Sequence, residues 1–402
     1  MNPIADRRSF IQNLLTGNAI VAASNPEHTL VCLFLRGGAD TLNMFIPYED
    51  DEYYRQRPTI GIARPKKTGK DSALDLDGHY GLNPKMEKLK AVFDEGRLAV
   101  IQGVGMDNTS GSHFECQDQM EHGEAFGETI GGGWLGRHLR SRSGGLATSL
   151  SAVAIGSIMP ESLRGAPAAS VLQSLEDLEL KTRASQPEAV AQILSRLYGA
   201  EATALGKQGR ETVDLLQRVR EIRKQKYVPE NGVDYPDHKM ATGLREIARL
   251  IKADVGLEVA CVDFGGWDTH FFQGALSSFH GKKVEILANA LAAFDQDLKT
   301  VRHRVTTVVM TEFGRRLYEN ASLGTDHGRG FAMMVMGGRI KGGTIHGPWP
   351  AMKNEAADGP GGLRISYDYR SVLGEVLEDV TGNSHIDAVF PGAKRTNLGL
   401  IA

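Results

Sequence analysis

The chain has 402 residues, enough for one large α/β domain or two ordinary ones, and its 41% hydrophobic and 24% charged residues are typical of a globular protein. This composition excludes a disordered chain, a coiled coil and a collagen-like repeat. The 46 basic residues nearly balance the 49 acidic ones, so no global field would attract nucleic acid or anionic lipid, and no run approaches the roughly 18 apolar residues of a membrane span.

Residues 1–27 are predicted to lie apart from the folded domain. Arg7 and Arg8, followed by a polar residue and two apolar ones, have the spacing of a twin-arginine export signal, and a mildly apolar stretch follows at 14–23. This pattern predicts a periplasmic or otherwise exported protein. The alternative is an amphipathic N-terminal helix in a cytoplasmic protein, with both arginines on its exposed face.

Continuous apolar runs separated by helix-like segments dominate the rest of the chain. The first run, Thr29–Leu35, is the kind of strand that a parallel sheet covered on both faces requires. A helix that opens at Pro84 and stops at Gly96 leads into a strand at 98–102. Further elements are predicted in three groups: strands at 150–155, 257–264, 305–310 and 331–336, helices within 187–252, 283–301 and 367–380, and a loop that contains Pro47, Pro58 and Pro65.

Strands that alternate with helices predict an α/β fold with a mainly parallel central sheet and helices on both faces. We predict a single domain over residues 28–402, with a helix-rich insertion at about 160–252. The three cysteines, Cys32, Cys116 and Cys261, are odd in number and form no CxxC pair. They exclude a disulfide scaffold, and Cys32 and Cys261, which lie inside apolar strand-like runs, are expected to be small core residues.

Carboxylates and histidines recur just after the predicted strands, where the ligand site of an open α/β sheet lies. Buried Asp and His side chains are costly unless they are paired or bind metal. Oxygen and imidazole ligands together suit Zn, Mn or Fe, and a surplus of oxygen ligands also suits Mg or Ca. The pattern predicts a divalent metal site built from Asp40, Asp268, His270, Glu312, Asp326 and His327.

Each of these residues also has an ordinary structural explanation. Asp40 alone would be a turn former or a helix cap, and Glu312 with Arg315 would be a structural ion pair. His113 beside Ser112 would be a surface pair. Their joint occurrence at successive strand ends is what favours a catalytic face.

Ser112 begins a predicted helix and has two interpretations. With Glu115 three residues later it matches a capping box, in which the serine only stabilises the helix. A hydroxyl at a helix N-terminus beside a metal can also be deprotonated and attack phosphorus or sulfur. We predict Ser112, His113 and Arg315 as catalytic residues, and as residues that bind an anionic substrate Arg36, Asn43 and Arg329.

Five longer motifs stand out: LRGGADTLN at 35–43, SHFE at 112–115 with QD at 117–118, GWLGR at 133–137, TEFGR at 311–315 and GTDHGRG at 324–330. These motifs resemble those of the bacterial DUF1501 family, which is grouped with the alkaline phosphatase and sulfatase superfamily. The resemblance runs from about residue 28 to the C-terminus. It implies an alkaline phosphatase-like fold and, because that family usually carries a twin-arginine signal, export.

The resemblance also implies roles for matching positions: a metal-binding aspartate at Asp40, the nucleophile at Ser112, and ligands of one metal at Asp268 and His270. The superfamily expects an Asp-His pair after a late strand, where this chain has Glu312 and Phe313. One metal, or an altered second site, is therefore implied, with Asp326 and His327 as the final ligands.

The residues and the resemblance together predict an exported, metal-dependent hydrolase of phosphate or sulfate esters that uses a metal-activated Ser112. The cofactor would be one or more divalent ions of Zn, Mn, Mg or Ca. The substrate would be an anionic ester, small or polymeric, and not a nucleic acid. The alternative is a non-catalytic exported protein that retains the fold for binding or assembly, which Phe313 and the capping character of Ser112 favour.

Overall fold

The computed structural model describes residues 28–67, 70–142, 147–176, 187–200, 203–224, 226–353 and 356–401. The predicted twin-arginine segment at 1–27 lies outside these residues. Within the described ranges, no helix is both long enough and apolar enough to cross a membrane.

The secondary structure alternates between strands and helices along most of the chain. The strands are β1 (Thr29–Leu35), β2 (Phe45–Ile46), β3 (Leu74–Asp75), β4 (Gly81–Leu82), β5 (Leu98–Gly105), β6 (Ala152–Ile155), β7 (Ser170–Leu172), β8 (Val259–Phe264), β9 (Val305–Met310), β10 (Phe331–Gly337), β11 (Thr344–His346) and β12 (Tyr367–Asp368). The α-helices are α1 (Asp51–Gln56), α2 (Glu87–Asp94), α3 (His113–His122), α4 (Trp134–Ser141), α5 (Pro187–Gly199), α6 (Ala204–Arg223), α7 (Lys239–Lys252), α8 (Phe279–Asp297), α9 (Tyr369–Glu375) and α10 (Ile386–Val389).

One nine-stranded sheet forms the centre of the molecule, in the order β11-β5-β10-β9-β1-β8-β6-β7, with β12 also paired to β5. Neighbouring strands are parallel except where β10 pairs with β5 and β9. The prediction of a mainly parallel sheet is confirmed. A separate small antiparallel sheet has the order β2-β4-β3.

Helices cover both faces of the central sheet, as predicted. Successive side chains of a strand point to opposite faces, so the residues of β1 divide between two apolar clusters. Leu33 lies in one cluster with Ile247 of α7, and Phe34 lies in the other with Met120 of α3. Both faces of the central strand are therefore buried, which explains its uninterrupted apolar sequence.

The helix predicted to begin at Pro84 is confirmed by α2 and the short 3-10 turn that precedes it. Pro84 suits the first turn because its missing N–H would have no partner there. Leu89, Val92 and Phe93 are buried against the sheet, and burial of such side chains stabilises the fold by about 1.5–3 kcal/mol each. Gly96 ends the segment in a left-handed conformation, with φ of +73°.

Short elements were missed by the sequence prediction. The proline-containing segment predicted as a loop holds α1 and the small sheet, because strands of two residues are too short to show alternation. Helix α8 begins at Phe279, four residues earlier than predicted, and α9 gives way after Glu375 to a wider π-type turn over Val376–Val380. The expectation of core cysteines is confirmed for Cys32 and Cys261, and Cys116 is buried and free as well.

Strand order determines where the polar loops meet. Strands β9, β1 and β8 lie side by side and run parallel, so their carboxyl ends share one edge of the sheet. The loops that follow these three strands converge there, together with the beginning of α3. This edge is where a ligand site is expected in an open α/β sheet.

Candidate metal centre

The side chains of three histidines and one aspartate converge at this edge, and the histidine ring nitrogens face one another and the carboxylate. His270 Nε2 lies 2.9 Å from His327 Nε2, and Asp268 Oδ1 lies 3.1 Å from the first and 3.3 Å from the second. His113 Nε2 lies 3.5 Å from the same Asp268 oxygen and is buried without a hydrogen-bond partner. We call these four side chains the candidate centre.

The other ring nitrogen of His113 is held by Glu312. His113 Nδ1 lies 2.7 Å from Glu312 Oε1, which also accepts hydrogen bonds from Gln117 Nε2 and the backbone N–H of Gly37, both at 2.8 Å. Burial alone would raise the pKa of Glu312, but hydrogen bonds from His113 and Gln117 outweigh it and lower the pKa. The carboxylate is ionised, so Nδ1 of His113 must be the donor and carries the proton.

The same arrangement recurs at the other two histidines. His270 Nδ1 lies 2.9 Å from Asp326 Oδ1, and His327 Nδ1 lies 2.7 Å from the carbonyl oxygen of Gly111. Burial opposes ionisation of Asp326, but hydrogen bonds from His270 and Asn320 lower its pKa. A carboxylate and a carbonyl only accept, so both Nδ1 atoms donate. Burial lowers the pKa of His327, and the positive Arg315 nearby adds to this effect, which favours the neutral ring.

A ring whose Nδ1 carries its only proton has a lone pair at Nε2, and all three Nε2 atoms lie within 3.5 Å of the carboxylate of Asp268. Its pKa falls to about 2, because hydrogen bonding and charge from Arg315 outweigh the effect of burial. Lone pairs facing each other at 2.9 Å repel unless a cation or a proton lies between them. In a tetrahedral site with zinc–ligand bonds of about 2.0–2.1 Å, neighbouring donor atoms lie roughly 3.3 Å apart. The four measured separations, 2.9 to 3.5 Å, bracket that value. The ligand atoms of His113, Asp268 and His327 all lie within 4.8 Å of one another, so these three side chains, with His270 in contact with two of them, can hold one divalent metal ion.

Arg315 is fully buried and holds the surrounding loops together. Its guanidinium donates to the backbone carbonyls of Gly38, Thr325 and Trp267, among others, and to Asp268 Oδ1 at 2.7 Å. A guanidinium with five donors can join several loops in this way, which a lysine cannot. The structure places Arg315, predicted to be catalytic, where it orients Asp268.

Asp40 and Asn43 lie in a separate buried network. Asp40 Oδ2 forms an ion pair with Arg57 at 2.7 Å and accepts a hydrogen bond from Gln273. Asn43 Oδ1 accepts from Arg57 and from the hydroxyl of Tyr53. Among the contacts of the described residues, none joins Asp40 or Asn43 to the candidate centre, so the structure does not bring these two predicted residues together with its four side chains.

The family model described as "Protein of unknown function (DUF1501)" matches residues 27–364, most of the chain. The chain belongs to the DUF1501 family. Among curated proteins, none matches significantly.

Solved structures similar to this DUF1501 protein include the PH0037 protein from Pyrococcus horikoshii, with 14% identity, a TM-score of 0.34, and coverage of 89% of this chain and 98% of that one. The alkaline phosphatase from the Antarctic bacterium TAB5 matches with 9% identity, a TM-score of 0.30, and coverage of 78% and 92%. The PsFucS1 sulfatase from Pseudoalteromonas sp. matches with 11% identity, a TM-score of 0.31, and coverage of 86% and 68%. At these scores, the overlaps carry no information about the function of the DUF1501 protein.

Ser112 caps helix α3 of the DUF1501 protein, as the capping interpretation predicted. Its Oγ accepts the backbone N–H of Glu115 at 3.4 Å. Its neighbour His113 belongs to the candidate centre, and the carbonyl oxygen of its other neighbour, Gly111, lies against Nδ1 of His327. Ser112 thus lies between one side chain of the centre and a group that orients another, and its role as a nucleophile stays a prediction.

Two arginines predicted to bind substrate are occupied by protein acceptors. Arg36 donates to Asp263 at 2.6 Å and to Glu121 at 3.1 Å. Arg329 donates through both Nη atoms to the backbone carbonyls of Asn108 and Met106. These contacts leave fewer donors for an anionic substrate than the sequence suggested.

A cleft of about 490 Å³ opens beside the candidate centre, and we call it the DUF1501 cleft. His270 and His327 form its floor on the side of the centre. The rest of its wall includes Asn108, Thr109, Ser110, Arg316, Arg329 and Ile365. A ligand in the DUF1501 cleft would therefore touch two of the proposed metal ligands.

Sequence reasoning missed part of the site. His113 was predicted as a catalytic residue, and its position at the start of a helix after a strand could have suggested a metal ligand instead. Gly111 acts through a backbone carbonyl, for which the sequence carries no signal, and Gln117 stands in the QD motif at 117–118, to which no role was assigned. Arg316 lines the DUF1501 cleft and follows directly after Arg315. This pair of adjacent arginines is the feature of the sequence that could have indicated Arg316 as a site residue.

Proposed function

We propose that this DUF1501 protein is a metal-dependent hydrolase of phosphate or sulfate esters. The observation that carries the proposal is the convergence of three Nε2 lone pairs on Asp268, with every Nδ1 fixed by an acceptor. Histidines in metal sites usually donate their second ring N–H in this way, which fixes the ring and raises the basicity of the ligand nitrogen. The DUF1501 cleft beside the centre supplies room for a substrate.

Zinc or manganese is the proposed metal, held by His113, Asp268, His270 and His327. Three imidazoles and one carboxylate form a nitrogen-rich donor set, whereas Mg and Ca prefer oxygen ligands. When bound, such an ion polarises the ester oxygen and stabilises the negative charge that develops on it. We propose a single ion, because Asp40 is neutralised by Arg57 in a buried pair.

Ser112 is the proposed nucleophile. It stands at the N-terminus of α3, where free backbone N–H groups and the helix dipole favour negative charge on the hydroxyl oxygen. As the new bond from Oγ to phosphorus or sulfur forms, the ester bond to the leaving alcohol breaks, and the serine proton passes to that alcohol. Attack of water on the phosphorylated or sulfated serine would then restore the free hydroxyl and release the inorganic anion.

Ester hydrolysis by the metal-loaded protein tests the proposal. We expect turnover of p-nitrophenyl phosphate or p-nitrophenyl sulfate that a chelator abolishes and metal restores. Ser112→Ala removes both the hydroxyl and the helix cap, whereas Ser112→Asn removes the hydroxyl but keeps a capping oxygen. Both variants should lose activity by roughly 10³-fold or more, while the control Ser384→Ala, at an exposed position outside the cleft, retains it.

Two results would overturn the proposal. Hydrolysis that survives complete removal of metal would exclude the metal-dependent mechanism. Full activity of Ser112→Asn would show that residue 112 only caps the helix. A folded, metal-loaded protein with no turnover would instead support the non-catalytic alternative, which the occupied donors of Arg36 and Arg329 favour.

We also propose that residues 1–27 direct export and that residues 28–402 form the folded domain. The arginine pair Arg7-Arg8 carries the export proposal. The variant with both arginines replaced by lysine should remain in the cytoplasm in cell fractionation. Periplasmic recovery of that variant would contradict export by the twin-arginine route.

A further inference from the structure

We infer that the DUF1501 cleft selects a tetrahedral ester with a single negative charge, a sulfate ester or a phosphodiester, and that Arg316 holds its non-bridging oxygen. The inference rests on the proposed function and names its substrate class. Dianionic phosphate monoesters would be poor substrates. Two observations support it: the hydrogen-bond partners of the arginines, and the charge balance around the candidate centre.

Arg316 differs from Arg315 and Arg329 in its exposure to the cleft and in the donors that it has left. Its Nη1 contacts Tyr318 Oη at 2.9 Å and lies 3.6 Å from Asp326 Oδ2. In the part of the chain that the structure describes, Arg316 Nε has no hydrogen-bond partner, although it is buried. The side chain as a whole is 30% exposed and lines the DUF1501 cleft.

Arg329 lines the same cleft but is less available. Its side chain is only 9% exposed, and both Nη atoms already donate to backbone carbonyls. Its Nε is buried and, like that of Arg316, has no hydrogen-bond partner among the described residues, and it lies 3.8 Å from Asp358, which balances its charge. Arg315 is fully buried and occupied by backbone carbonyls and Asp268. Arg316 is therefore the cation that can turn a donor toward a ligand in the cleft.

The charges around the candidate centre favour a monoanion. Of the three carboxylates around the centre, Asp268 pairs with Arg315 at 2.7 Å and Asp326 lies 3.6 Å from Arg316. Glu312 is hydrogen-bonded to His113 and Gln117 instead, which leaves one negative charge in excess. A divalent ion held at the centre reverses this balance to one positive charge. A singly charged ester then neutralises the site, whereas a phosphate monoester, which carries about two charges above its second pKa of about 6, leaves one negative charge uncompensated.

Binding of small anions tests this inference without relying on turnover. Calorimetry at pH 8 on the metal-loaded Ser112→Ala protein, which lacks the proposed nucleophile, would compare methyl sulfate, dimethyl phosphate and methyl phosphate. We expect methyl sulfate, dimethyl phosphate or both to bind at least about tenfold more tightly than methyl phosphate. Arg316→Gln should lose about tenfold or more in affinity for the preferred anion with unchanged metal content, and Arg316→Lys should recover part of it. The matched control is Arg364→Gln, at an exposed position.

The anion that binds most tightly distinguishes sulfate esters from phosphodiesters as the substrate. Tighter binding of methyl sulfate supports sulfate esters, and tighter binding of dimethyl phosphate supports phosphodiesters. Tighter binding of methyl phosphate than of both, or unchanged affinity in Arg316→Gln, would overturn the inference while leaving a metal-dependent hydrolase intact. A protein that binds no metal would overturn the proposed function and this inference with it.

Discussion

In each imidazole of the candidate centre, the hydrogen-bond partner of one ring nitrogen determines whether the other nitrogen can bind metal. An acceptor at Nδ1 fixes the proton there and leaves Nε2 free to bind metal. The sequence predicted Asp268, His270 and His327 as ligands, and the structure brings them together. It also predicted Glu312 and Asp326 as ligands, but these hold Nδ1 atoms of His113 and His270 instead. Spacing along the chain cannot tell which atom of a side chain faces the centre.

Asp326→Asn tests the role of that outer hydrogen bond. The amide keeps the size of the side chain and an acceptor for His270 Nδ1 but removes the charge that makes the imidazole more basic. We expect metal affinity to fall by about 10–100-fold with little change in fold, measured by competition with a fluorescent chelator. Asp234→Asn, at an exposed position, is the control. Unchanged affinity in Asp326→Asn would show that the ring needs no charged partner.

At the scale of single elements, the sequence predicted the long strands and helices, in which apolar residues recur regularly, and missed features that have no such pattern. Strands such as β1 and helices such as α2 bury several side chains in a regular pattern, so composition reveals them. The tight turn after β1 depends instead on backbone conformation. Gly37 has φ of +119°, and a Cβ there would lie 2.6 Å from the backbone nitrogen of Asp268. The sequence showed a glycine pair at this turn, but not the close approach that requires it.

Gly37→Ala should therefore disturb the candidate centre. The substitution strains a positive φ and pushes against the backbone of Asp268, so we expect a loss of stability of about 2–4 kcal/mol and weaker metal binding. Gly78→Ala is a matched control, since Gly78 has φ of +83° but nothing within 4 Å of the added Cβ. It should lose only about 1–2 kcal/mol and keep metal affinity. Equal losses in urea unfolding for both variants would exclude the steric explanation.

At the scale of the whole molecule, the sequence predicted the fold class but not the strand order. Hydrophobic runs fix the number and type of the long strands, while their neighbours in the sheet depend on long-range packing. The antiparallel position of β10 between β5 and β9 has no local signal in Phe331–Gly337. The order of the strands in the sheet determines which loops meet. The sequence could therefore predict that polar residues gather at one edge of the sheet, but not which of them lie next to one another.

Buried neutral histidines should make stability depend on pH. His138 is 2% exposed, and burial, with a smaller effect of Arg142, lowers its pKa from 6.5 to about 3. Below pH 6.5 the unfolded chain binds a proton at this residue and the folded chain does not, so falling pH favours unfolding until about pH 3. Between pH 7 and pH 5 this residue alone should cost about 2 kcal/mol of stability.

His138→Gln tests that contribution. Urea unfolding at pH 7 and pH 5 should show a pH dependence shallower than that of the wild type by about 2 kcal/mol. His385→Gln, at an exposed position, should retain the wild-type dependence. An unchanged slope in His138→Gln would show that His138 titrates alike in the folded and unfolded states.

The metal content of the purified, refolding-competent protein is the most direct test of the candidate centre. Elemental analysis after reconstitution should find one equivalent of zinc or manganese in the wild type and none in the double variant Asp268→Ala/His270→Ala. The control pair Asp234→Ala/His385→Ala, both at exposed positions, should bind as the wild type does. A folded wild type without metal, or the same metal content in the Asp268→Ala/His270→Ala variant, would contradict the assignment of these side chains as a metal site.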